Sequence, residues 1–477
     1  MHIITNARWF EDMSTQALDM THAMARRPPA PEPRVRPLGP LGLYRALRTN
    51  AITAWRAEAY EEPYIADRNM LGGYVLINDP DLIRYVLVEN AANYPKDTLQ
   101  LEKLTPAVGR GLLTAEPESW RLQRRTVAPL FQPASVAAYL ASMAVSIGEM
   151  LARWEDHARS GAAIDVAHEM TALTYDIISR TVFSHEIETP AEVMGEAITA
   201  YFEALGRIDL WDVLPLPRWL PRPAFIRARP AQGIFREEVR RLLERRRTRI
   251  ATGGAVPDDL VTRLMQARDP ETGAPLSDTI IHDNLVTFIG AGHETTANAL
   301  SWTLFLLSEF PEADAVVAAE AASLGAMPSA DDLERLTGTR MILEESMRLY
   351  PPVPFLSRGV VARDRIADVA VTSATRIIIA PWVLHRHRKL WAEPDLFEPA
   401  RFAPEKRAKI SRFAYLPFGA GPRICVGMGF AMQEALLALA MIARRFRITL
   451  AEDANVFPFA RMTLRPLNGL PMRVTAR

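Results

Sequence analysis

The chain of 477 residues contains one cysteine, Cys425, and this residue constrains the fold more than any other feature. It lies in the segment PFGAGPRICVGMG (417–429), which runs directly into the apolar helical stretch FAMQEALLALAMIARRF. A single cysteine excludes an intramolecular disulfide and favours a reducing, intracellular compartment. The chain is also long enough to bury a large core around a cofactor.

The surroundings of Cys425 predict a reactive thiolate rather than the inert small hydrophobe that a lone buried cysteine usually is. Its place at the start of a predicted helix brings free N–H groups and the positive dipole end towards the sulfur. Gly419, Gly421 and Gly427 let the backbone bend close to that sulfur. Hydrogen bonds to a ligating sulfur tune the potential of a metal, so we predict a redox metal ligand.

Five positions of this segment, Phe418, Gly421, Arg423, Cys425 and Gly427, have the spacing F-x-x-G-x-R-x-C-x-G. The segment resembles the haem-binding loop of the cytochrome P450 family. The resemblance implies that Cys425 is the axial ligand of the iron in haem b, that Phe418 shields the sulfur, and that Arg423 meets a haem propionate. It also implies a thiolate that pushes electron density onto iron and favours O–O cleavage.

A second feature is a long apolar helix predicted over 277–310, with Ser277 and Asp278 as N-caps. Most of its length carries only two ionisable residues, His293 and Glu294, so we expect a central, buried helix. A buried glutamate is costly unless it is paired, hydrated or used in chemistry. A water-satisfied acid of the core is the alternative interpretation of Glu294.

The segment AGHETT (291–296) resembles the oxygen-activation motif [AG]-G-x-[DE]-T of the same family. We expect Ala291 and Gly292 to leave room for a flat ring and for dioxygen. The Thr295 hydroxyl can bend the helix by bonding back to a carbonyl, and can donate to bound oxygen. The resemblance implies that Glu294 relays protons through water, so that Glu294 and Thr295 form the acid–alcohol pair that protonates the distal oxygen.

Three further residues are expected to hold the haem propionates. Trp120 and Arg124 match the family's W-x-x-x-R helix, and Arg358 lies where a further propionate-binding arginine is common. Arginine suits this role because its planar fork binds a carboxylate through two hydrogen bonds.

Glu345, Arg348 and Arg401 resemble the family's E-x-x-R and P-x-R-F elements. Glu345 and Arg348 lie three residues apart and therefore share a helix face. The resemblance implies a structural role, in which a buried ion network holds the cysteine loop. Removing one partner would leave a buried charge unpaired, at a cost of roughly 3–5 kcal/mol.

The pattern along the chain predicts a mainly helical protein with a minor β component, which the resemblance makes a cytochrome P450 fold with a long helix over the haem. Residues 1–39 are expected to be an extended lead-in and 40–477 a single haem domain. A strand is expected at Tyr74–Ile77 and strand-like structure over 358–382. Helical periods cover 119–130, 136–158, 165–184, 231–251, 277–310 and 427–446.

Several competing interpretations can be weighed on the residues. HETTA is not a zinc HExxH site, because residue 297 is alanine. The glycine pairs of the cysteine loop lack the buried strand and third glycine of a dinucleotide site. The Trp- and Pro-rich segment 211–223 is either a rigid surface loop or a mobile, apolar entrance for substrate or membrane contact.

The expected function is a monooxygenase that inserts one atom of O2 into an apolar molecule such as a terpenoid, steroid or fatty acid. A peroxide-driven peroxygenase, a haem isomerase and a non-catalytic haem-thiolate sensor are the alternatives. Because the resemblance fills 40–477, electrons are expected from a separate ferredoxin or flavodoxin and an NAD(P)H-dependent reductase. Arg121, Arg125 and the run 405–412 could form a basic patch that docks this carrier.

The charge balance and segment composition set the remaining expectations. Lysine plus arginine equals aspartate plus glutamate at 56 each, so no overall field favours nucleic acid. The first 20 residues lack the apolar core of a signal peptide, and no run approaches 18 consecutive apolar residues. We therefore expect a cytoplasmic monomer without a transmembrane anchor.

Overall fold

The computed structural model describes residues 26–67, 73–206, 222–325 and 328–477, and the chain folds around one long helix. The helices are α1 (Pro40–Thr49), α2 (Pro80–Arg84), α3 (Thr98–Val108), α4 (Pro117–Val127), α5 (Pro133–Ala137), α6 (Leu140–Ser160), α7 (Val166–Phe183), α8 (Ala191–Gly206), α9 (Pro223–Ala251), α10 (Leu260–Gln266), α11 (Asp278–Glu309), α12 (Pro311–Ala322), α13 (Ala330–Glu334), α14 (Thr337–Leu349), α15 (Pro381–Leu384), α16 (Pro404–Arg407) and α17 (Met428–Arg445). The strands are β1 (Tyr64–Asp67), β2 (Tyr74–Ile77), β3 (Ile164–Asp165), β4 (Leu356–Arg358), β5 (Asp364–Ile366), β6 (Val369–Val371), β7 (Arg376–Ile379), β8 (Phe446–Leu450), β9 (Pro458–Ala460), β10 (Leu464–Pro466) and β11 (Pro471–Ala476).

The long helix α11 is central, as its composition predicts. Ser277 caps its first turn by accepting a hydrogen bond from the backbone N–H of Ile280, and Pro311 starts the next helix. The side chains from Ala297 to Leu307 are all buried. A helix that is apolar on every side is stable only inside a protein.

Two apolar cores meet along α11. The larger core joins α6, α7, α14, α17 and the C-terminal half of α11, where Trp302 stacks on Tyr350 with ring centroids 3.9 Å apart. The second core joins α3, α7, α8, α9 and the N-terminal half of α11. The middle of α11 therefore lies at the junction of the two cores.

The β structure is minor, as expected. The largest sheet has the order β1-β2-β7-β4, in which β2 pairs parallel to β7 and β4 pairs antiparallel to β7. This sheet confirms the strand predicted at Tyr74–Ile77 and places Ile377 and Ile379 in its interior. A C-terminal sheet has the order β3-β11-β8, and β9 pairs with β10 as a hairpin.

Two helices differ most from the predicted bounds. The helix expected from 231 begins at Pro223 and continues through Pro230, which cannot donate a backbone hydrogen bond. Burial of Ala224 and Ala228 in the second core offsets that loss. The helix expected over 136–158 divides into α5 and α6, although Ala138 and Tyr139 between them keep right-handed helical dihedrals.

The lead-in and the apolar segments can be placed in part. Residues 26–39 form no helix or strand apart from a bridge between Arg34 and Arg56, and most of the 211–223 segment lies outside the described residues. Among the described residues, one helical stretch, Pro133–Ser160, has the length and composition to cross a membrane. Half of it is buried, and Ile147 and Trp154 are wholly buried in the larger core.

Candidate active site

The cysteine loop is a tight turn closed by backbone hydrogen bonds. The N–H of Cys425 donates to the carbonyl of Phe418 at 3.0 Å, and that of Ile424 donates to Gly421 at 3.1 Å. Gly419 and Gly421 have φ near +72° and +73°, in the left-handed region that glycine adopts without strain. A Cβ atom at Gly421 would lie 2.0 Å from the carbonyl oxygen of Leu87, so only glycine fits there.

Cys425 lies just before the N-cap of α17, which is Gly427. Burial raises the pKa of its thiol, while a hydrogen bond from the Gly427 N–H and the charge of Arg124 act in the opposite direction. The Gly427 N–H and Arg124 therefore favour the thiolate form, and desolvation opposes it. Metal coordination deprotonates a thiol outright, so a bound metal ion would hold Cys425 as a thiolate.

Lys96, Arg358 and Arg423 form a group of cations near the cysteine loop. Burial and the charges of Arg358 and Arg423 lower the pKa of Lys96 to about 7. Burial likewise lowers the pKa of Arg358 to about 10, and burial followed by the charge of Arg358 does the same for Arg423. Three cations thus crowd into a region that is poorly solvated.

The hydrogen bonds of these cations go to backbone carbonyls. Lys96 donates to Leu113 at 2.5 Å, and Arg423 donates to Ala115 at 2.9 Å. The Nη1 atom of Arg423 is buried without a hydrogen-bond partner in the described part of the chain. None of the three cations has a carboxylate partner within residues 26–67, 73–206, 222–325 and 328–477.

Trp120 and Arg124 join this group from α4, as the motif implies. The Arg423 guanidinium lies over the Trp120 ring, 4.4 Å from its centroid. Arg124 donates to the carbonyl of Ile424 at 2.9 Å, next to the cysteine, and burial lowers the pKa of Arg124. The predicted propionate ligands therefore lie around the cysteine loop.

This arrangement fits haem, which carries two propionates. Unpaired buried charges are costly, and carboxylates provide the planar acceptors that an arginine fork matches. A haem bound here would take Cys425 as its iron ligand, with Arg423, Arg358, Arg124, Trp120 and Lys96 at its carboxylates. The sequence did not single out Lys96, because the residues around it, Tyr94–Asp97, match no motif. Lys96 is aligned with Arg358 by an isolated β-bridge between residues distant in sequence.

The middle of α11 carries the predicted oxygen-activation residues. The Thr295 hydroxyl donates back to the carbonyl of Ala291 at 2.8 Å, as expected, and Ala291 is exposed although most of the surrounding helix is buried. Gly292 also contacts a neighbouring helix. A Cβ at Gly292 would lie 3.0 Å from the Ile178 side chain of α7, so this glycine permits close packing of α11 on α7.

Glu294 is satisfied by a contact that the sequence does not reveal. Thr463, which follows β9, donates its hydroxyl hydrogen to Glu294 Oε1 at 2.6 Å. The neighbouring His293 is buried, and its Nδ1 lies 2.9 Å from the carbonyl oxygen of Ile289. Burial lowers the pKa of His293 to about 4, so its ring is neutral at pH 7.

The predicted ion network is present and wholly buried. Arg348 binds both carboxylate oxygens of Glu345 at 2.6 and 2.7 Å, and both side chains are 0% exposed. The Nε atom of Arg401 lies 3.4 Å from Glu345 as an ion pair without a hydrogen bond. Arg348 also donates to the carbonyl of His385, whose Nε2 accepts the N–H of Leu416 at 2.8 Å. The network therefore reaches the chain two residues before Phe418.

The expected basic patch is smaller than predicted. Arg125 is not available, since it forms ion pairs with Asp269 at 2.9 Å and Glu271 at 3.0 Å. Arg407 lies 3.5 Å from Glu344 and over the Tyr415 ring. The exposed basic residues that remain are Arg121, Lys406, Lys409 and Arg412.

Comparison with known proteins supports the resemblance stated from the motifs. The chain matches the family described as Cytochrome P450 over residues 68–469. It is 34% identical over 404 residues to cyclooctatin synthase of Streptomyces melanosporofaciens, and this alignment covers 82% of this chain and 84% of the relative. It is 32% identical over 403 residues to pentalenene oxygenase of Streptomyces avermitilis, and this alignment covers 83% of this chain and 87% of the relative. The fold is similar to the crystal structure of the cytochrome P450DA heme domain, with a TM-score of 0.81 and 25% identity. The match covers 94% of this chain and 99% of that chain.

Proposed function

The chain belongs to the cytochrome P450 family of haem-dependent monooxygenases, and on that premise we propose that it hydroxylates an apolar terpenoid with electrons from separate redox proteins. The observation that carries the proposal is the group of cations around Cys425. Lys96, Arg358 and Arg423 make no ion pair with a carboxylate of the described chain, yet lie beside the one thiol able to ligate iron. Haem b, a dianionic ligand with a metal centre, matches both features.

When bound, haem supplies the oxidising chemistry, and the residues of the chain orient it and deliver protons. Cys425 would provide the sulfur ligand of the iron, and the Gly427 N–H bonded to that sulfur would tune its electron donation. We assign Thr295 Oγ1 as the proton donor towards dioxygen. The Glu294 carboxylate is the group that passes protons from solvent to Thr295. The hydroxyl now bonded to Ala291 can rotate, because a threonine hydroxyl turns freely about its C–O bond.

The proposed substrate class rests on two relatives and on the surroundings of α11. One relative is named for oxygenating pentalenene and another for making cyclooctatin, which favours a terpenoid over a steroid or fatty acid. Phe288 and Leu113 are partly buried at the edge of the second core and offer apolar contact surface to a substrate. Hydroxylation is favoured because Glu294 and Thr295 are both present, whereas peroxygenases and haem isomerases of this family generally lack that pair.

The proposed redox partner is a ferredoxin or flavodoxin that draws on an NAD(P)H-dependent reductase. It would dock on Arg121, Lys406, Lys409 and Arg412, which are exposed and basic. We further propose a cytoplasmic monomer with one haem domain over 40–477.

The test of this proposal is the spectrum of the reduced protein under carbon monoxide. The wild-type holoprotein is expected to show the Soret band of a thiolate ligand, and Cys425→Ser is expected to lose it. Met428→Leu, at the exposed first residue of α17, is the control and should keep it. A Cys425→Ser protein that kept the thiolate band would contradict the assignment.

A further inference from the structure

The C-terminal hairpin β9–β10 is fixed on both strands. The buried Asn50 side chain donates to the carbonyl of Pro458 at 2.9 Å and accepts the N–H of Ala460 at 3.0 Å. On the other strand, the Trp302 indole of α11 donates to the carbonyl of Leu464 at 3.2 Å. These buried bonds hold one strand to Asn50 and the other to α11, on either side of the turn 461–463.

The turn contacts the proposed proton relay. The N–H of Arg461 donates to the carbonyl of Thr463 at 3.1 Å, which closes the turn. From this closed turn, the Thr463 hydroxyl reaches Glu294 Oε1 at 2.6 Å. That distance is typical of a hydroxyl that donates to an ionised carboxylate, the stronger class of hydrogen bond.

The same turn also contacts the end of α8. A Cβ atom built on Gly206, the last residue of α8, would lie 3.1 Å from Cβ of Arg461 and 3.3 Å from Cγ of Met462. The helix end and the turn are therefore in close contact, and a methyl group between them would require the turn to move by a few tenths of an ångström. A displacement of the helix end would press directly on the turn that carries Thr463.

We propose that Thr463 is a positioning residue for Glu294, and that its hold on the carboxylate responds to the position of the end of α8. A glutamate side chain has three torsions, and its terminal torsion is broad, so the carboxylate needs a fixed donor to stay in one orientation. Neighbouring helix residues point about 100° apart, so the proton passes from Glu294 to Thr295 through water. Such a relay depends on where the carboxylate points.

This inference rests on the proposed role of Glu294, and the experiment separates the two. Reconstituted holoenzyme is assayed with a surrogate ferredoxin and its reductase, with pentalenene as probe and again with no added substrate. The readout is peroxide released per NADPH consumed, since poor proton delivery releases dioxygen as peroxide. Thr463→Val removes the hydroxyl at constant shape, and we expect peroxide per NADPH to rise at least about threefold.

Three further variants make the result specific. Thr463→Ser restores the hydroxyl and is expected to restore the wild-type ratio, and Thr475→Val, an exposed threonine on β11, is expected to leave it unchanged. Gly206→Ala should raise the ratio in the wild type but add nothing to Thr463→Val, because both act through one contact. The dissociation constant for pentalenene, from the substrate-induced shift of the Soret band, should change less than twofold in Thr463→Val.

The outcomes are distinct. If the wild type consumes no NADPH or lacks the thiolate carbon monoxide band, the proposed function is wrong. If Glu294→Gln leaves the ratio unchanged, the relay role of Glu294 is wrong. If Glu294→Gln raises the ratio and Thr463→Val does not, or if Thr463→Ser fails to restore it, Thr463 is not a positioning residue.

Discussion

His293 links the stability of the protein to pH at the scale of a single residue. It is buried on α11, bonds to the carbonyl of Ile289, and packs edge-on against Tyr175 with ring centroids 6.5 Å apart. Its pKa of about 4 lies below the ordinary value of 6.5, since burial disfavours the imidazolium. The unfolded chain therefore binds a proton at a higher pH than the folded chain, and stability is lost as pH falls from about 6.5 towards 4.

We predict that His293→Leu reduces this acid sensitivity. Between pH 7 and pH 5 the wild type should lose about 2 kcal/mol of unfolding free energy through this residue, and the variant should not. Urea unfolding at the two pH values measures the difference. His385, buried with a pKa of about 3, makes its own contribution to the loss of unfolding free energy at low pH, and this contribution is the same in both proteins. An unchanged slope in the variant would contradict the prediction.

The residue scale also shows where sequence reasoning reaches its limit. Cys425, Arg423 and Arg124 were predicted because their spacing is local and is imposed by one loop and one helix turn. Lys96 and Thr463 were not, because each meets its neighbours through contacts between segments distant in the chain. Tertiary contacts of this kind leave no periodic or spaced pattern to detect.

At the scale of elements, the start of α11 holds the loop that follows α3. Asp283 accepts the backbone N–H of Arg110 at 2.8 Å and pairs with Arg236 of α9 at 3.1 Å. Asn284 accepts the N–H of Leu112 at 2.9 Å. One helix end thus fixes a loop and a neighbouring helix, and that loop leads to the carbonyls that hold Lys96 and Arg423.

We predict that Asp283→Ala destabilises the protein by about 3 kcal/mol, because it leaves a partly buried guanidinium and a backbone N–H without their acceptor. Asp278→Ala is the control, since its carboxylate is exposed at the start of the same helix and its loss should cost less than about 1 kcal/mol. Denaturant unfolding gives both values. Equal costs for the two variants would show that the Asp283 contacts do not stabilise the loop.

Element types were easier to predict than element ends. The 3.6-residue period and the caps predicted both ends of α11 to within one residue, because Ser277 and Pro311 act locally. The start of α9 was missed by eight residues, since Pro230 is a local signal to stop and only tertiary burial of Ala224 and Ala228 overrides it. Local signals fail where packing opposes them.

At the scale of the whole molecule, charge is balanced overall but not everywhere. The arginines of the C-terminal half of α9 are paired with carboxylates, as Arg246 is with Asp259 at 2.7 Å and Glu186 at 2.8 Å. The exposed lysines Lys406 and Lys409 have no such ion pair within the described residues. The segment immediately before the cysteine loop therefore presents a surface with net positive charge.

We predict that the double variant Lys406→Glu and Lys409→Glu slows electron transfer from an acidic ferredoxin about tenfold at low salt. The difference should shrink as salt rises, because ions screen exposed charges. Stopped-flow reduction at several ionic strengths measures both effects. Arg447→Glu with Arg473→Glu, on β8 and β11, makes the same change in net charge. If this control slows transfer equally, the effect is one of total charge and not of docking.

The cations Lys96, Arg358 and Arg423 have a consequence for the life of the polypeptide in a cell. A dianionic ligand would relieve their mutual repulsion, so haem binding would stabilise the folded chain. A ligand at a thousand times its dissociation constant adds about 4 kcal/mol to folded-state stability. Haem supply would then set how much newly made chain escapes degradation, and the abundance of the enzyme would follow porphyrin synthesis as well as transcription.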